Sequence, residues 1–176
     1  GSPMLDISAI IRELPYVKEI AVVALNNECK EILTYLEYGY QGEVIICADN
    51  IITKREERVS SFSSTIDKES AAVVKFADKI EGYLHIPNRA ILKAGFFKTV
   101  SEYFSLLKIA KSSHIYTSDI IPENFPGRTL KVIEVIDFNK KGIKEVSQKY
   151  PKANIATYNF PIPAQELSKR LKIEDG

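Results

Sequence analysis

Residues 19–25 read Glu-Ile-Ala-Val-Val-Ala-Leu, and residues 43–48 read Glu-Val-Ile-Ile-Cys-Ala. Both stretches are nearly continuous apolar runs rich in β-branched residues. Such runs are typical of strands that are buried on both faces of an α/β sheet. The sequence therefore predicts two buried strands and a layered α/β architecture for the first part of the chain.

Helical patterns flank these two strands. A first helix is expected to begin at Asp6 or Ser8 and to end at Pro15. Asn26-Asn27 is expected to cap a second helix, because apolar residues follow at helical spacing: Cys29, Ile32, Leu33 and Leu36. Because two strands cannot form an independent sheet, residues 6–50 are interpreted as a piece of a larger α/β domain.

The middle of the chain is predicted to be mainly helical. A polar connection with a short edge strand near Phe62 leads to a helix over residues 70–80, and residues 83–88 are expected to be extended. Asn88 then caps the longest helical pattern, which runs to Leu107. Gly95 lies inside this pattern and is expected to allow another element to pack closely. A short strand is predicted over residues 115–117.

The last part of the chain alternates strand and helix patterns. Strands are predicted over residues 130–138 and 153–158, while Asn139 and Pro163 begin the two helices. This order is that of a split β-α-β, or ferredoxin-like, module. Such a module needs more strands, so the chain is expected to be a fragment.

Composition excludes several classes of protein. The chain has 176 residues, of which 45% are hydrophobic and 27% are charged, which rules out disordered, collagenous and coiled-coil chains. It has no apolar stretch long enough to cross a bilayer and no visible signal peptide, so no membrane partner is expected. Two cysteines fit a reducing cytoplasm. Together with two histidines they show no paired spacing that would predict a metal site.

Charge is distributed unevenly along the chain. Residues 1–80 contain 9 lysines and arginines against 13 acidic residues, whereas residues 81–176 contain 15 against 10. The basic half indicates a polyanionic partner. Between residues 85 and 116, cations alternate with aromatic residues, a pattern suited to phosphates and stacked bases. The alternative is an amphipathic helix with core aromatics, from which Phe97 is the expected exception. A second cluster (Lys140, Lys141, Lys144, Lys149 and Lys152) is interpreted as a solvated helix face.

The sequence predicts no catalytic residue. Cys29 and Cys47 lie in apolar patterns and are interpreted as core residues. His114, and with less support His85, could act as a base or contact phosphate. A turn histidine bonded to backbone explains each better, since no acid or nucleophile lies beside it. Gly39 and Gly42 do not form a glycine-rich strand-to-helix turn, so no complete nucleotide site is visible.

Several stretches of the chain resemble a known family. They are Ser-Pro-Met-Leu-Asp-Ile at residues 2–7, Val-Lys-Glu-Ile at 17–20, Asn-Glu-Cys-Lys-Glu at 27–31, Tyr-Leu-His-Ile-Pro-Asn-Arg-Ala-Ile-Leu-Lys-Ala-Gly at 83–95, Ser-His-Ile-Tyr-Thr-Ser-Asp at 113–119 and Phe-Pro-Gly-Arg at 125–128. Over nearly the whole chain they resemble the end of class I S-adenosylmethionine-dependent methyltransferases that carry a THUMP-like region and a small ferredoxin-like domain.

The resemblance implies an α/β (α+β) fold with four parts. Residues 1–52 would be the last helix and strands of a Rossmann-like methyltransferase sheet, and residues 53–82 a connection with a helix. Residues 83–128 would be a helical THUMP-like region, and residues 129–176 an incomplete ferredoxin-like module. Ser2-Pro3 would then be native rather than a tag remnant before Met4, and further strands would follow Gly176.

The resemblance also implies a function. The cofactor and catalytic motifs of such enzymes lie upstream, so S-adenosylmethionine is expected in the parent protein but not on this fragment, which is expected to be inactive. The THUMP-like label implies structured RNA, such as tRNA, as substrate. The residues expected to contact it are Asn88, Arg89, Lys93, Lys98, Lys111, His114 and Arg128, with the cations on phosphates and the other two shaping loops.

Two other roles remain open at this stage. The region could be a non-enzymatic part that completes the methyltransferase sheet or mediates self-association. That role predicts exposed apolar surface around Ile7, Ile11 and residues 20–23, where the missing N-terminal core would dock. A weaker alternative is a free-standing small binding protein that begins at Met4.

Overall fold

A computed structural model describes residues 1–54 and 56–176 of the chain. The described residues form a mixed α+β structure, as the sequence predicts. Their contacts divide them into two compact units, residues 1–131 and residues 132–176.

The first unit begins with helix α1 (Ile7–Glu13) and a sheet of strands β1 (Val17–Leu25), β2 (Glu28–Leu36), β3 (Ile45–Ile52) and β4 (Arg58–Ser64). The strand order is β2-β1-β3-β4, with β1 and β3 parallel and the outer pairs antiparallel. The two predicted buried strands are therefore confirmed as β1 and β3, which lie side by side at the centre.

The expected second helix is wrong, because residues 28–36 form strand β2. Asn26 and Asn27 both have positive φ, 48° and 67°, which is the backbone of a tight two-residue hairpin turn. The turn returns the chain antiparallel to β1, with Val22 opposite Ile32. The apolar residues after the turn match a helical spacing because the pairing with β1 shifts register between Val23 and Ala24. Cys29 therefore lies opposite Ala24, while Ile32 lies opposite Val22.

The two faces of this sheet differ in burial. Ile20, Val22 and Ala48 lie on the inner face and are fully buried. The apolar surface expected around residues 20–23 is therefore not exposed at Ile20 or Val22, and Ile7 is also buried. The outer face carries more exposed residues, with Leu25 at 38%, Ile45 at 42% and Val59 at 59% exposure.

A second sheet completes the first unit. Its strands are β5 (Tyr83–Pro87), β6 (Leu107–Lys108), β7 (Tyr116–Ser118) and β8 (Gly127–Lys131), in the antiparallel order β6-β7-β5-β8. Helices α2 (Ile66–Ala71), α3 (Arg89–Ala94) and α4 (Thr99–Tyr103) belong to the same unit. Helix α3 packs on β1, β2 and β3, and its Ala90 and Ile91 share one apolar core with Phe96 and Tyr116.

Two helix predictions in this unit are corrected. The helix expected over residues 70–80 begins earlier, at the Thr65 cap, and ends at Ala71. The long helix expected after Asn88 is two short helices, because Gly95 adopts φ 78° and ends α3. A side chain at Gly95 would meet nothing within 4 Å, so the glycine provides a left-handed turn and not a close approach.

The second unit consists of helices α5 (Lys140–Lys149) and α6 (Ala164–Leu171) around a small apolar core. Asn139 caps α5 through a 2.9 Å bond from the Gly142 amide, and α6 begins directly after Pro163, both as predicted. The expected strand over residues 130–138 is shorter, since β8 ends at Lys131. Residues 153–158 form no strand in the described structure, where the nearby pairing is a bridge between Lys152 and Glu174.

Candidate nucleic-acid interface

The seven residues predicted to bind nucleic acid lie on four segments of the first unit. These are the start and body of α3 (Asn88, Arg89, Lys93), the cap of α4 (Lys98), the loop between β6 and β7 (Lys111, His114) and strand β8 (Arg128). Arg89, Lys111, His114 and Arg128 are exposed, whereas Lys93 and Lys98 are half-buried. Asn88 is only 4% exposed, so its side chain lies beneath the surface.

Asn88 fixes the beginning of α3. Its Oδ1 accepts a 3.0 Å hydrogen bond from the Ile91 amide, and its own amide donates to the Pro126 carbonyl at 2.9 Å. The residue therefore ties α3 to the loop that leads into β8. The predicted cap is confirmed, and the Asn88 Nδ2 is buried without a hydrogen-bond partner among the described residues.

Arg89 and Lys93 lie beside the β1–β2 hairpin. The Arg89 amide donates to Asn27 Oδ1 at 2.7 Å, and its carbonyl accepts from the Cys29 thiol at 3.4 Å. Burial raises the pKa of the Cys29 thiol, and the charges of Lys93 and Arg89 oppose that rise. Cys29 is thus a half-buried packing residue whose neighbours include two of the predicted cations.

Lys98 lies at a helix start that a carboxylate already occupies. Glu69 accepts hydrogen bonds from the amides of Phe97 at 3.1 Å, Lys98 at 2.8 Å and Thr99 at 2.9 Å, and from the Thr99 hydroxyl at 2.7 Å. The Lys98 ammonium donates to the Ser70 carbonyl at 2.7 Å. Glu69 was missed in the sequence because it lies about thirty residues before its partners, and no local pattern marks it.

The β6–β7 loop carries Lys111 and His114. Each contacts one residue that is not among the seven predicted: Lys108 bonds to Lys111, and Phe97 stacks on His114. Lys108 is 7% exposed, and its ammonium donates to the Lys111 carbonyl at 2.7 Å. His114 stacks on Phe97 with the ring centroids 3.7 Å apart and the planes 12° apart. Burial lowers the pKa of His114, and the nearby charge of Lys108 lowers it further.

His85 is a structural residue in the middle of the second sheet, not a turn histidine. It is fully buried, with Nε2 2.6 Å from the Ser118 Oγ and Nδ1 3.0 Å from the Thr129 Oγ1. Because Ser118 donates its proton to the Ile120 carbonyl, Nε2 donates to Ser118 and Nδ1 accepts from Thr129. Burial lowers the pKa of His85, which favours the neutral form of the ring.

Other candidate chemistry receives no support from the geometry. Burial raises the pKa of the Cys47 thiol to about 11. Among the described residues, no group of three or more His, Cys, Asp or Glu side chains is placed to hold a metal ion. None of the helices within the described part of the chain is long and apolar enough to span a membrane.

Comparison with known proteins identifies the domains of the second half. Residues 83–126 match the family model of a ferredoxin-like domain, and residues 127–176 match that of a THUMP domain-like region. The chain carries a ferredoxin-like domain followed by a THUMP-like region. This order is the reverse of the expected one.

A solved structure matches the chain along its length. It is the crystal structure of a protein from Porphyromonas gingivalis W83 that is named a "putative methyltransferase", with 36% sequence identity and a TM-score of 0.91. The match covers 99% of this chain but 44% of the other, so this chain spans less than half the length of that protein. Comparison with curated proteins finds no match.

Replacing Asn88 by Ala should destabilise the first unit by about 1 kcal/mol, because the first turn of α3 loses its cap. Asn88→Ser should retain most of the stability, since a serine hydroxyl can accept the same amide proton. Urea unfolding of both variants, followed by circular dichroism, measures the difference. Equal stability of the Ala variant and the unmodified chain would contradict the capping role.

His85 should make folding sensitive to acid. Its pKa in the folded chain is below the ordinary 6.5, so the unfolded chain binds a proton at higher pH than the folded chain does. Its contribution to stability is complete above about pH 6.5 and falls as the pH drops toward the folded pKa. His85→Gln should remove this part of the pH dependence. Unfolding free energies at pH 8, 6.5 and 5 test this, and identical slopes for the two proteins would refute it.

Proposed function

We propose that this chain is the substrate-recognising C-terminal part of an S-adenosylmethionine-dependent methyltransferase that acts on structured RNA. The observation that carries the proposal is the similarity, over 99% of this chain, to the Porphyromonas gingivalis protein that is named a "putative methyltransferase". The THUMP-like region supports RNA as the substrate class. The free thiols of Cys29 and Cys47 suit a reducing cytoplasm.

We expect no site for S-adenosylmethionine among the described residues of this chain. Such a site would need a glycine-rich turn from a strand into a helix, where backbone amides can approach the ligand. Here β1 runs through a two-residue turn into β2, and Gly39 and Gly42 lie between strands β2 and β3. We therefore assign cofactor binding and catalysis to the remainder of the whole protein, and RNA contacts to this chain.

Several exposed cations of the first unit support a role in RNA binding. Arg89 directly follows the buried Asn88. Arg128 lies on β8 and pairs with Ile86 of β5, two residues before Asn88. Because the Asn88 amide bonds to the Pro126 carbonyl, the chain segments that carry the two arginines meet at this point. Both guanidinium groups are exposed and can contact phosphate.

Arg89→Glu combined with Arg128→Glu should weaken RNA binding at least tenfold and make the salt dependence shallower by about one unit of slope per lost phosphate contact. Fluorescence anisotropy of the chain with labelled tRNA across a salt series measures both quantities. Unchanged affinity and slope would remove these arginines from the interface.

A matched control separates local contacts from net charge. Lys18 is exposed near the start of β1, whereas Arg89 lies beside the hairpin at the opposite end of that strand, and Lys18→Glu makes the same kind of charge reversal. This variant should bind tRNA as the unmodified chain does. Failure of the unmodified chain to bind at low salt would refute RNA recognition by this part of the protein.

A second candidate role is to complete a larger sheet of the whole protein. Strand β2 lies at the edge of the sheet, and Gly1 already pairs with it: the Gly1 amine donates to the Ile32 carbonyl at 2.9 Å, and the Ile32 amide donates to the Gly1 carbonyl at 3.2 Å. Two residues that exchange both backbone bonds form an antiparallel pair. This edge can thus accept a further antiparallel strand.

The outer face of the sheet supports the same role. Side chains of Val23, Leu25, Ile45 and Ile51 lie on this face, and each is partly or largely exposed. A face of this kind gains free energy when it is covered by apolar groups, at roughly 25 cal/mol per Å². We propose that other parts of the whole protein cover it.

Cys47 can report on this covering. Its side chain lies on the outer face opposite Ala21, while Cys29 lies on the inner face against Arg89. In the whole protein the maleimide labelling rate of Cys47 should fall at least tenfold relative to this chain, and that of Cys29 should stay similar. Peptide-level mass spectrometry gives both rates, and equal Cys47 rates would contradict the structural role.

A further inference from the structure

The strongest feature that the proposed function leaves unexplained is the flat ring pair of Phe97 and His114. The His114 side chain is exposed although one ring face is covered by Phe97 at 3.7 Å. The exposed area therefore belongs to the other face and the edge of the ring. A ring that is held flat by its partner presents a surface of the kind on which nucleobases stack.

Hydrogen bonds to the backbone of Phe97 hold the ring pair in place. The Phe97 amide donates to Glu69 Oε1 at 3.1 Å, and the Phe97 carbonyl accepts from the Tyr116 hydroxyl at 2.7 Å. Tyr116 is fully buried in the core of the first unit. Little conformational freedom of Phe97 remains to be lost on binding, which favours a preformed site.

The loop that carries His114 is positively charged. Residues 108–114 contain two lysines and no acidic residue. Lys108 holds the loop from inside through the Lys111 carbonyl at 2.7 Å, and Lys111 is exposed. The acidic group near Lys108 is Glu69, whose oxygens already accept four hydrogen bonds from Phe97, Lys98 and Thr99.

The loop also contains an unsatisfied polar group. Ser113 is 8% exposed, and its hydroxyl has no hydrogen-bond partner among the described residues. A buried hydroxyl without a partner costs free energy, so this position gains from an added acceptor.

We propose that loop 109–115 binds an unpaired nucleotide of the RNA, with the base stacked on the outer face of His114 and the adjoining phosphate near Lys111. This inference rests on the proposed function, and it adds the kind of RNA element that is recognised: a single-stranded base rather than a helix. The proposal requires a base to stack on His114, so binding through phosphate charge alone would contradict it.

The chain offers a direct spectroscopic test because it has two histidines. Hexa-adenylate RNA is titrated into the labelled chain at pH 7, and the imidazole Hε1 signals are followed by NMR. The His114 signal should move upfield and saturate, because an adenine stacked on the ring adds its ring current. The His85 signal should stay in place, since that ring is buried and bonded on both nitrogens.

Variants separate stacking from charge. His114→Ala should weaken hexa-adenylate binding about tenfold, whereas His114→Phe should keep it, because a phenyl ring retains the stacking surface. Lys111→Gln should weaken binding and lower the salt slope by about one. Thermal unfolding of each variant shows whether its fold is intact.

Three outcomes would overturn the inference. An abasic hexamer that binds as tightly as hexa-adenylate would show that the chain recognises only the phosphate charge. An unmoved His114 signal at saturation would place the base elsewhere. If His114→Ala binds tRNA and hexa-adenylate normally while the Arg89→Glu and Arg128→Glu pair does not, RNA recognition stands and the stacking site fails.

Discussion

The packing of α3 on the inner face of the first sheet is the constraint on which the first unit depends. Ala90 and Ile91 are fully buried against a face that includes Val22 and Ala48, and the same core continues to Phe96 and Tyr116. A helix of six residues is too short to be stable alone, so its apolar contacts and its cap must hold it. The two sheets are joined through this core, and the buried side of α3 positions its two cations, the exposed Arg89 and the half-buried Lys93.

Glu69 stabilises the start of α4 electrostatically. Its carboxylate supplies the negative charge that the start of α4 favours and satisfies three backbone amides there. One consequence is that this helix start is not available to a phosphate. The other is that Phe97 is fixed, and with it the ring of His114. A half-buried acid thus occupies a potential anion site and holds a rigid aromatic residue beside it.

Local sequence patterns predict the parts of this fold that local physics determines. The predictions of strands β1 and β3 and of the caps at Asn88 and Asn139 are correct. They succeed because a strand's burial and a helix's first turn depend on adjacent residues. Strand β2 was misread because paired asparagines suit both a cap and a hairpin turn. The contacts of Glu69 and the stacking of Phe97 on His114 join distant residues, and only the folded chain brings these together.

The same distinction applies to the predicted interface. Charge counting selects lysines and arginines equally, yet the fold gives them different roles: Lys98 and Lys108 bond to backbone carbonyls, while Arg89 and Arg128 remain at the surface. The buried Lys108 ammonium adds positive charge to the loop but is not free to contact a ligand. Lys111 is exposed and can make that contact. Because His114 is stacked on Phe97, and because burial and the charge of Lys108 lower its pKa, it is better suited to stacking on a base than to proton transfer.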